Sequence, residues 1–159
     1  MQFRQSKNSD LEVLSTWFDN ELEAKYWGGP LISFPIEIER LKNEIQWAEN
    51  QSYSLIDNGY FIGFAQIANR FSCNHICRVL IKPDMRGRSL GKRLMVSIFS
   101  SCKSNSKNYS LFVYKNNDVA INLYKSLGFN INQHPEGQAH MGESIFMVKK
   151  DKRQNLDTF

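Results

Sequence analysis

The sequence predicts one α/β (α+β) domain in which helices and strands share a core. Three observations carry this. Asn58-Gly59 separates two apolar, strand-like runs, the strongest short hairpin signal. A β-rich run ending at Pro83 leads into a basic, glycine-containing stretch and then an apolar-periodic helix, a strand–loop–helix order. A chain of 159 residues supplies one domain with a sizeable core but hardly two. Residues 1–150 are expected to form it, helical over 1–50 and sheet-forming over 51–150, with 151–159 as a polar tail.

Each element has its own justification. SDLEVLSTWFDNEL, from Ser9, reads as a helix capped by Ser9 or Asp10, with Leu11, Leu14 and Phe18 on one face. AKYWGGPLISF follows as a break. PIEIERLKNEIQWAEN reads as a second helix, with Pro35 in its first turn and Ile38, Leu41, Ile45 and Ala48 as its stripe. YSLID and YFIGFAQIANRF are hairpin strands, and HICRVLIKP is a third, ended by Pro83. Leu90, Leu94 and Ile98, with Met95 and Phe99, mark a helix; YSLFVY is a strand. NDVAINLYKSLGF is a helix with Ala120, Leu123, Tyr124 and Leu127 on one face and Gly128 as its stop. FNINQ and ESIFMVKK read as a closing hairpin.

Composition narrows the functional classes. The first residues lack the apolar core of a signal peptide, and no apolar run approaches the eighteen or so residues of a membrane span. Cys73, Cys77 and Cys102 show neither metal spacing nor a disulfide pattern, so a cytoplasmic, metal-free protein is expected, monomeric or homodimeric. The net charge of +4 is unevenly spread. Residues 1–50 carry 5 Lys/Arg against 9 Asp/Glu, a net of −4, and residues 51–159 carry 15 against 7, a net of +8. One part is suited to a cation and the other to an anion, unless this is ordinary surface charge. The cations gather in one short loop without interleaved aromatics, which argues against nucleic acid.

That loop is MRGRSLGKRL, from Met85. Free N–H groups and the positive dipole end at a helix start suit a phosphate. Gly87 and Gly91 let the backbone approach it, and Arg86, Arg88, Lys92 and Arg93 supply charge. The spacing matches neither a P-loop nor a dinucleotide fingerprint. Taken with the strand Arg78 to Pro83, the run Arg86-Gly87-Arg88-Ser89-Leu90-Gly91 resembles the central motif of the Gcn5-related N-acetyltransferase (GNAT) superfamily. LFVYKNNDVAINLYKSLGF resembles its second signature, through Leu111, Val113, Asn117, Ala120, Leu123, Tyr124, Gly128 and Phe129. One departure is Ser89, where the family usually has Gly; a serine is accommodated at negative φ, and its hydroxyl could cap the helix or bond a phosphate oxygen.

The resemblance implies a largely antiparallel sheet of six to seven strands flanked by about four helices, with splayed strands at an acyl-CoA site. It implies acetyl-CoA as acyl donor and a small-molecule or peptide amine as acceptor, acetylated by direct attack on the thioester. A non-catalytic acyl-CoA-binding module is the alternative. Arg86, Gly87, Arg88, Ser89, Leu90, Gly91 and Lys92 would hold the diphosphate and Val79, Leu80 and Ile81 the pantetheine arm, with backbone N–H groups near Leu80 and Ile81 as oxyanion donors. Tyr124 stands where many members place the general acid, or is a packed core tyrosine. Asn117 orders the strand-to-helix turn or is a plain cap. His75 is a candidate base or a packed histidine sharing a face with Cys77, Val79 and Ile81, whereas Arg78 points the other way as a surface or sheet-edge cation. Cys77 reads as a structural thiol. Tyr26 and Trp27, with Glu21 and Glu23, suit a cationic acceptor, unless Trp27 packs beneath its loop and the acids are merely solvated.

Overall fold

The computed structural model describes residues 1–102, 106–135 and 143–150. Its strands are β1 (Gln2–Gln5), β2 (Gln51–Asp57), β3 (Tyr60–Arg70), β4 (Cys73–Ile81), β5 (Tyr109–Tyr114), β6 (Asn130–Asn132) and β7 (Ser144–Lys149). Its α-helices are α1 (Asn8–Leu14), α2 (Glu21–Gly28), α3 (Ile38–Glu44), α4 (Leu90–Ser101) and α5 (Asp118–Ser126). The strands hydrogen-bond in the order β1-β2-β3-β4-β5-β7-β6. The β4–β5 ladder is parallel and runs for two pairs, Asn74↔Tyr109 and His75↔Ser110. No helix of the described residues is long and apolar enough to cross a membrane. The predicted tail, 151–159, lies outside the described residues.

The chain divides into two compact units, Met1–Ala68 with Arg78–Cys102, and Asn69–Cys77 with the residues that follow Cys102. The division runs through β3 and β4.

In the first unit, Leu11, Leu14, Leu41, Ile45, Phe64 and Leu80 are buried in one apolar cluster. β1, unmarked in the sequence, pairs with β2 from Gln2↔Ile56 to Gln5↔Tyr53, and Phe3 stacks on Tyr53 at 4.9 Å. The Asn58-Gly59 turn has φ of 49° and 81°, the double positive φ of a type I′ hairpin.

The first predicted helix is two helices. After Leu14 a 3₁₀ turn, Ser15–Trp17, gives way to extended Phe18, with the Ser15 and Thr16 hydroxyls bonding back to the Glu12 and Val13 carbonyls. Asn20 then caps α2 by accepting from the Glu23 N–H, and Glu23 accepts from the Asp19 N–H, a reciprocal cap. The expected break is thus helical up to Gly28, and the chain turns at Gly29, φ +103°. α3 is shorter than expected. Glu37 caps it by accepting from Glu39 and Arg40 N–H, which leaves Pro35 outside the helix, and left-handed Gln46 (φ +52°) follows its end. Ala48 is accordingly exposed and outside the stripe.

In the second unit, β5 and β7 pair antiparallel from Tyr109↔Lys149 to Tyr114↔Ser144. β6 joins β7 at Asn130↔Val148, closing the hairpin expected from the sequence.

Candidate active site

In the first unit, the basic loop passes from a 3₁₀ turn, Pro83–Met85, through extended Arg86 into left-handed Gly87 (φ +77°) and Ser89 (φ +59°). Beyond its chain neighbours, no described residue comes within 4 Å of where a Cβ on Gly87 would stand, so conformation rather than space calls for glycine there. Ser89 takes the conformation glycine would take, which corrects the expectation of a negative φ. Its side chain makes no capping bond either. The first intrahelical bond of α4 is Arg93 N–H to Ser89 O at 3.2 Å, so the N–H groups of Leu90, Gly91 and Lys92 have no partner within the helix. Arg86, Arg88, Lys92 and Arg93 are exposed, and among the described residues none is in an ion pair. Arg86 Nε donates to the Ile81 carbonyl at 3.2 Å. Free amides, a dipole end of one sign and four unneutralised cations make an anion cradle.

β4 leads to this loop, and Arg78 interrupts it with φ +52°. A left-handed residue inside a strand breaks the period-two alternation, so the face assigned to His75, Cys77, Val79 and Ile81 does not continue past residue 77. Nor is Arg78 a surface cation. Its Nε donates to Gly28 O at 3.2 Å and its Nη1 to Gln66 Oε1 at 2.9 Å. Its own carbonyl accepts from Trp27 Nε1 at 2.9 Å. Leu80 is buried, while Val79 and Ile81 are half-buried.

The acceptor-side candidates all lie in this unit, with altered roles. Trp27 is half-buried, 5.2 Å from the Phe18 ring and 5.9 Å from Phe64, so it packs rather than lining a flexible break. Glu23 serves the α2 cap. Glu21 pairs with Lys25 at 3.0 Å and stays exposed, as does Tyr26.

The second unit holds the other candidates. Asn117 Oδ1 accepts from the Ala120 N–H at 3.2 Å, the cap of α5. α5 ends in a Schellman arrangement, Gly128 N–H to Lys125 O at 3.1 Å and Phe129 N–H to Tyr124 O at 3.0 Å. The Tyr124 and Phe129 rings lie 5.9 Å apart, the apolar contact that accompanies this motif. Tyr124 is buried, and burial pushes its phenol up to about 12.

His75 is only 2% exposed. Its Nδ1 lies 2.8 Å from Ser110 Oγ, and its ring meets Phe71 at 5.1 Å and Phe112 at 5.2 Å. This is a packed histidine, closed to an incoming amine. Sequence reasoning passed over Gln66, fully buried in the apolar run FAQIA. A polar residue at such a position must find partners, and Gln66 has both Arg78 and Ser52, the latter at 2.9 Å.

Partnerless helix amides and four exposed cations at a strand–loop–helix junction give this α/β protein a surface suited to an anionic ligand. Comparison with known proteins makes this specific: residues 15–129 match the acetyltransferase (GNAT) family, and the chain belongs to it. Its chemistry is acetyl transfer from acetyl-CoA to an amine. The peptidyl-lysine N-acetyltransferase YiaC of Escherichia coli is 28% identical over 132 residues, 80% of this chain and 82% of that protein. Two solved structures share the fold. The PaiA N-acetyltransferase of Thermoplasma acidophilum, in complex with coenzyme A, has TM-score 0.69 and 21% identity over 94% of this chain and 98% of its own. A variant of spermidine N-acetyltransferase SpeG from Vibrio cholerae has TM-score 0.71 and 19% identity over 94% and 95%.

Proposed function

We propose that the chain acetylates a primary amine, carried by a small molecule or a peptide, with its acetyl-CoA diphosphate gripped by residues 86–92. The observation that carries this reading is the left-handed loop with four unpaired, exposed cations at the start of α4. The backbone from Val79 to Ile81 lies along the pantetheine arm, and the N–H groups near Leu80 and Ile81 polarise the thioester carbonyl as the uncharged amine attacks. A C–N bond forms, the C–S bond breaks, and one amine proton is released. Asn117 sets the strand-to-helix turn that carries Tyr124.

Tyr124 meets the departing sulfur as a neutral donor. Against a thiol of reference pKa near 8.5, a phenol at about 12 keeps its proton. Full transfer would be uphill by roughly three and a half pK units, about 5 kcal/mol. Tyr124 thus stabilises the sulfur through a hydrogen bond, and the proton comes from the amine. On the acceptor side the exposed Glu21 and Tyr26 would meet a cationic amine, which competes with Lys25 for the Glu21 carboxylate; Glu23 serves the α2 cap and Trp27 packs against Phe18. Three cysteines without a disulfide pattern support a reducing cytoplasm; a monomer or homodimer accommodates this reading.

Incubation with acetyl-CoA and a broad amine panel, read by mass spectrometry, tests the reading. N-acetylated products with matching CoA release are expected. CoA binding without any acetylated product would overturn it in favour of a binding module.

A further inference from the structure

We infer that Arg78 is a positioning residue for the amine acceptor: it locks the C-terminal end of α2 onto the left-handed residue of β4. The inference rests on the acetyl-transfer reading above. A non-glycine residue at φ +52° inside a strand costs of order 1–3 kcal/mol and persists only where the surroundings over-determine it. Three bonds do so here. The Arg78 guanidinium binds Gly28 O and Gln66 Oε1, and its carbonyl receives the Trp27 indole N–H. Gln66 cannot yield, because it is fully buried and its amide is committed to Ser52 Oγ.

Gly28 is the last residue of α2, so its carbonyl is one of the helix's orphan acceptors, and a cation there also meets the negative dipole end. One residue thereby ties three things together: the helix bearing Glu21 and Tyr26, the inner strand β3, and the backbone two residues ahead of Leu80. A regular strand residue at 78 would leave β4 unstrained and α2 untied. The strain gives α2 a fixed position against the strand on which the thioester is proposed to lie. Arg78 touches no reacting atom in this reading; it acts through Trp27 and Gly28.

The test uses the full chain and three acceptors: spermidine, a lysine-containing peptide and a peptide with N-terminal alanine. Arg78→Lys keeps the charge and removes the planar fork; Gln66→Met keeps the bulk and removes the partner. Both variants are expected to raise the acceptor KM about tenfold or more, with kcat and the acetyl-CoA KM within about twofold of the parent. A merely structural role predicts instead a lower Tm with both KM values moving together. That result, or an acceptor KM unchanged in both variants, overturns the proposal. If Arg78→Lys fails to fold, Gln66→Met decides alone. A parent chain that acetylates none of the three amines refutes the acetyl-transfer reading for these acceptors and this proposal with it, a failure visible before any variant is made.

Discussion

Replacing Ser89 with glycine should stabilise the protein and tighten its hold on coenzyme A. Ser89 sits at φ 59°, ψ 20°, where an L-residue pays roughly 1–2 kcal/mol against its preferred regions. Glycine removes that penalty. It adds freedom to the unfolded chain, at a cost of about 0.4–1 kcal/mol, and serine-to-glycine at a helix cap costs only a few tenths. Even that cap term is small here, because the Ser89 side chain makes no capping bond. The net is a gain of about 0.5 kcal/mol, or roughly 1–2 °C in Tm for a domain of this size. Removing Cβ also clears the approach to the Leu90, Gly91 and Lys92 amides, so the CoA Kd should fall severalfold. Ser89→Val is the counter-test: a β-branched residue in this region is a steric outlier, so it should lose at least 1 kcal/mol and most of the CoA affinity. Denaturant unfolding and titration calorimetry read both quantities. Loss of stability in the glycine variant, or wild-type behaviour in the valine variant, would refute the argument that residue 89 must be left-handed for the loop to work.

Tyr124→Phe deletes only the hydroxyl, one preorganised donor to the developing thiolate, and should lower kcat about a hundredfold, with CoA affinity and Tm preserved; a full-speed variant would return the ring to packing alone. Because the phenol is raised to about 12, it stays protonated throughout the working range. The pH–rate profile should therefore show no falling limb below about pH 11 from this residue, and a limb near pH 10 that vanishes in the Phe variant would contradict its burial. Gly128→Ala places a Cβ at φ +96° and 2.8 Å from Lys149 Nζ, which donates to Leu127 O. Thermal melts should show a loss of about 1–3 kcal/mol from backbone strain and the weakened bond. Burial acts to raise the Asp10 pKa, but is outweighed by hydrogen bonds from Arg4, the Lys7 N–H and Ser54 and by the Arg4 charge, so the carboxyl lies below its usual range. Its stabilisation is complete above the unfolded carboxylate pKa and is lost as pH falls through the depressed folded value. Asp10→Asn should cost about 2–4 kcal/mol at neutral pH and flatten that acid loss in urea titrations.

What could be read from the sequence is what depends on neighbours in the chain. The Asn58-Gly59 hairpin, the strand–loop–helix order at residues 78–94 and the Gly128 stop are set within a few residues, and each is present. α2 was misread because Gly28-Gly29 marks a break in propensity, whereas the helix is held to Gly28 by the Asn20–Glu23 cap and by Trp27 reaching Arg78, 51 residues away. β1 has only four residues, QFRQ, too few for a period. It forms because β2 pairs with it and Asp10 receives Arg4 at 2.7 Å. Glu21 and Glu23 read alike as acceptor-side acids because composition cannot show that Glu23 is spent on the α2 cap. His75 could not be settled either, since its enclosing rings, Phe71 and Phe112, come from different strands and turns.

Among the described residues, six non-glycine residues have positive φ: Gln46, Asn58, Phe71, Ser72, Arg78 and Ser89. Four of them have ordinary causes. Gln46 follows the end of α3, Asn58 makes the β2–β3 turn, and Phe71-Ser72 makes the two-residue connection from β3 to β4. Arg78 lies within a strand and Ser89 at the head of a helix, where a regular residue and a glycine would each be cheaper. At about 1–3 kcal/mol apiece, the pair withholds several kcal/mol from a total stability of about 5–15. Arg78 immediately precedes the stretch from Val79 to Lys92, to which we assign the thioester and diphosphate contacts, and Ser89 lies within its diphosphate loop. Strain at these two positions supports the proposal that the stretch is shaped for a ligand: a chain optimised for the sheet alone would be regular at residue 78 and glycine at residue 89. Relief at residue 89 leaves the loop's direction intact, because glycine keeps the same φ, whereas relief at residue 78 straightens the strand and releases α2. Stability and acetyl transfer should therefore rise together in Ser89→Gly and part company in any variant that regularises residue 78.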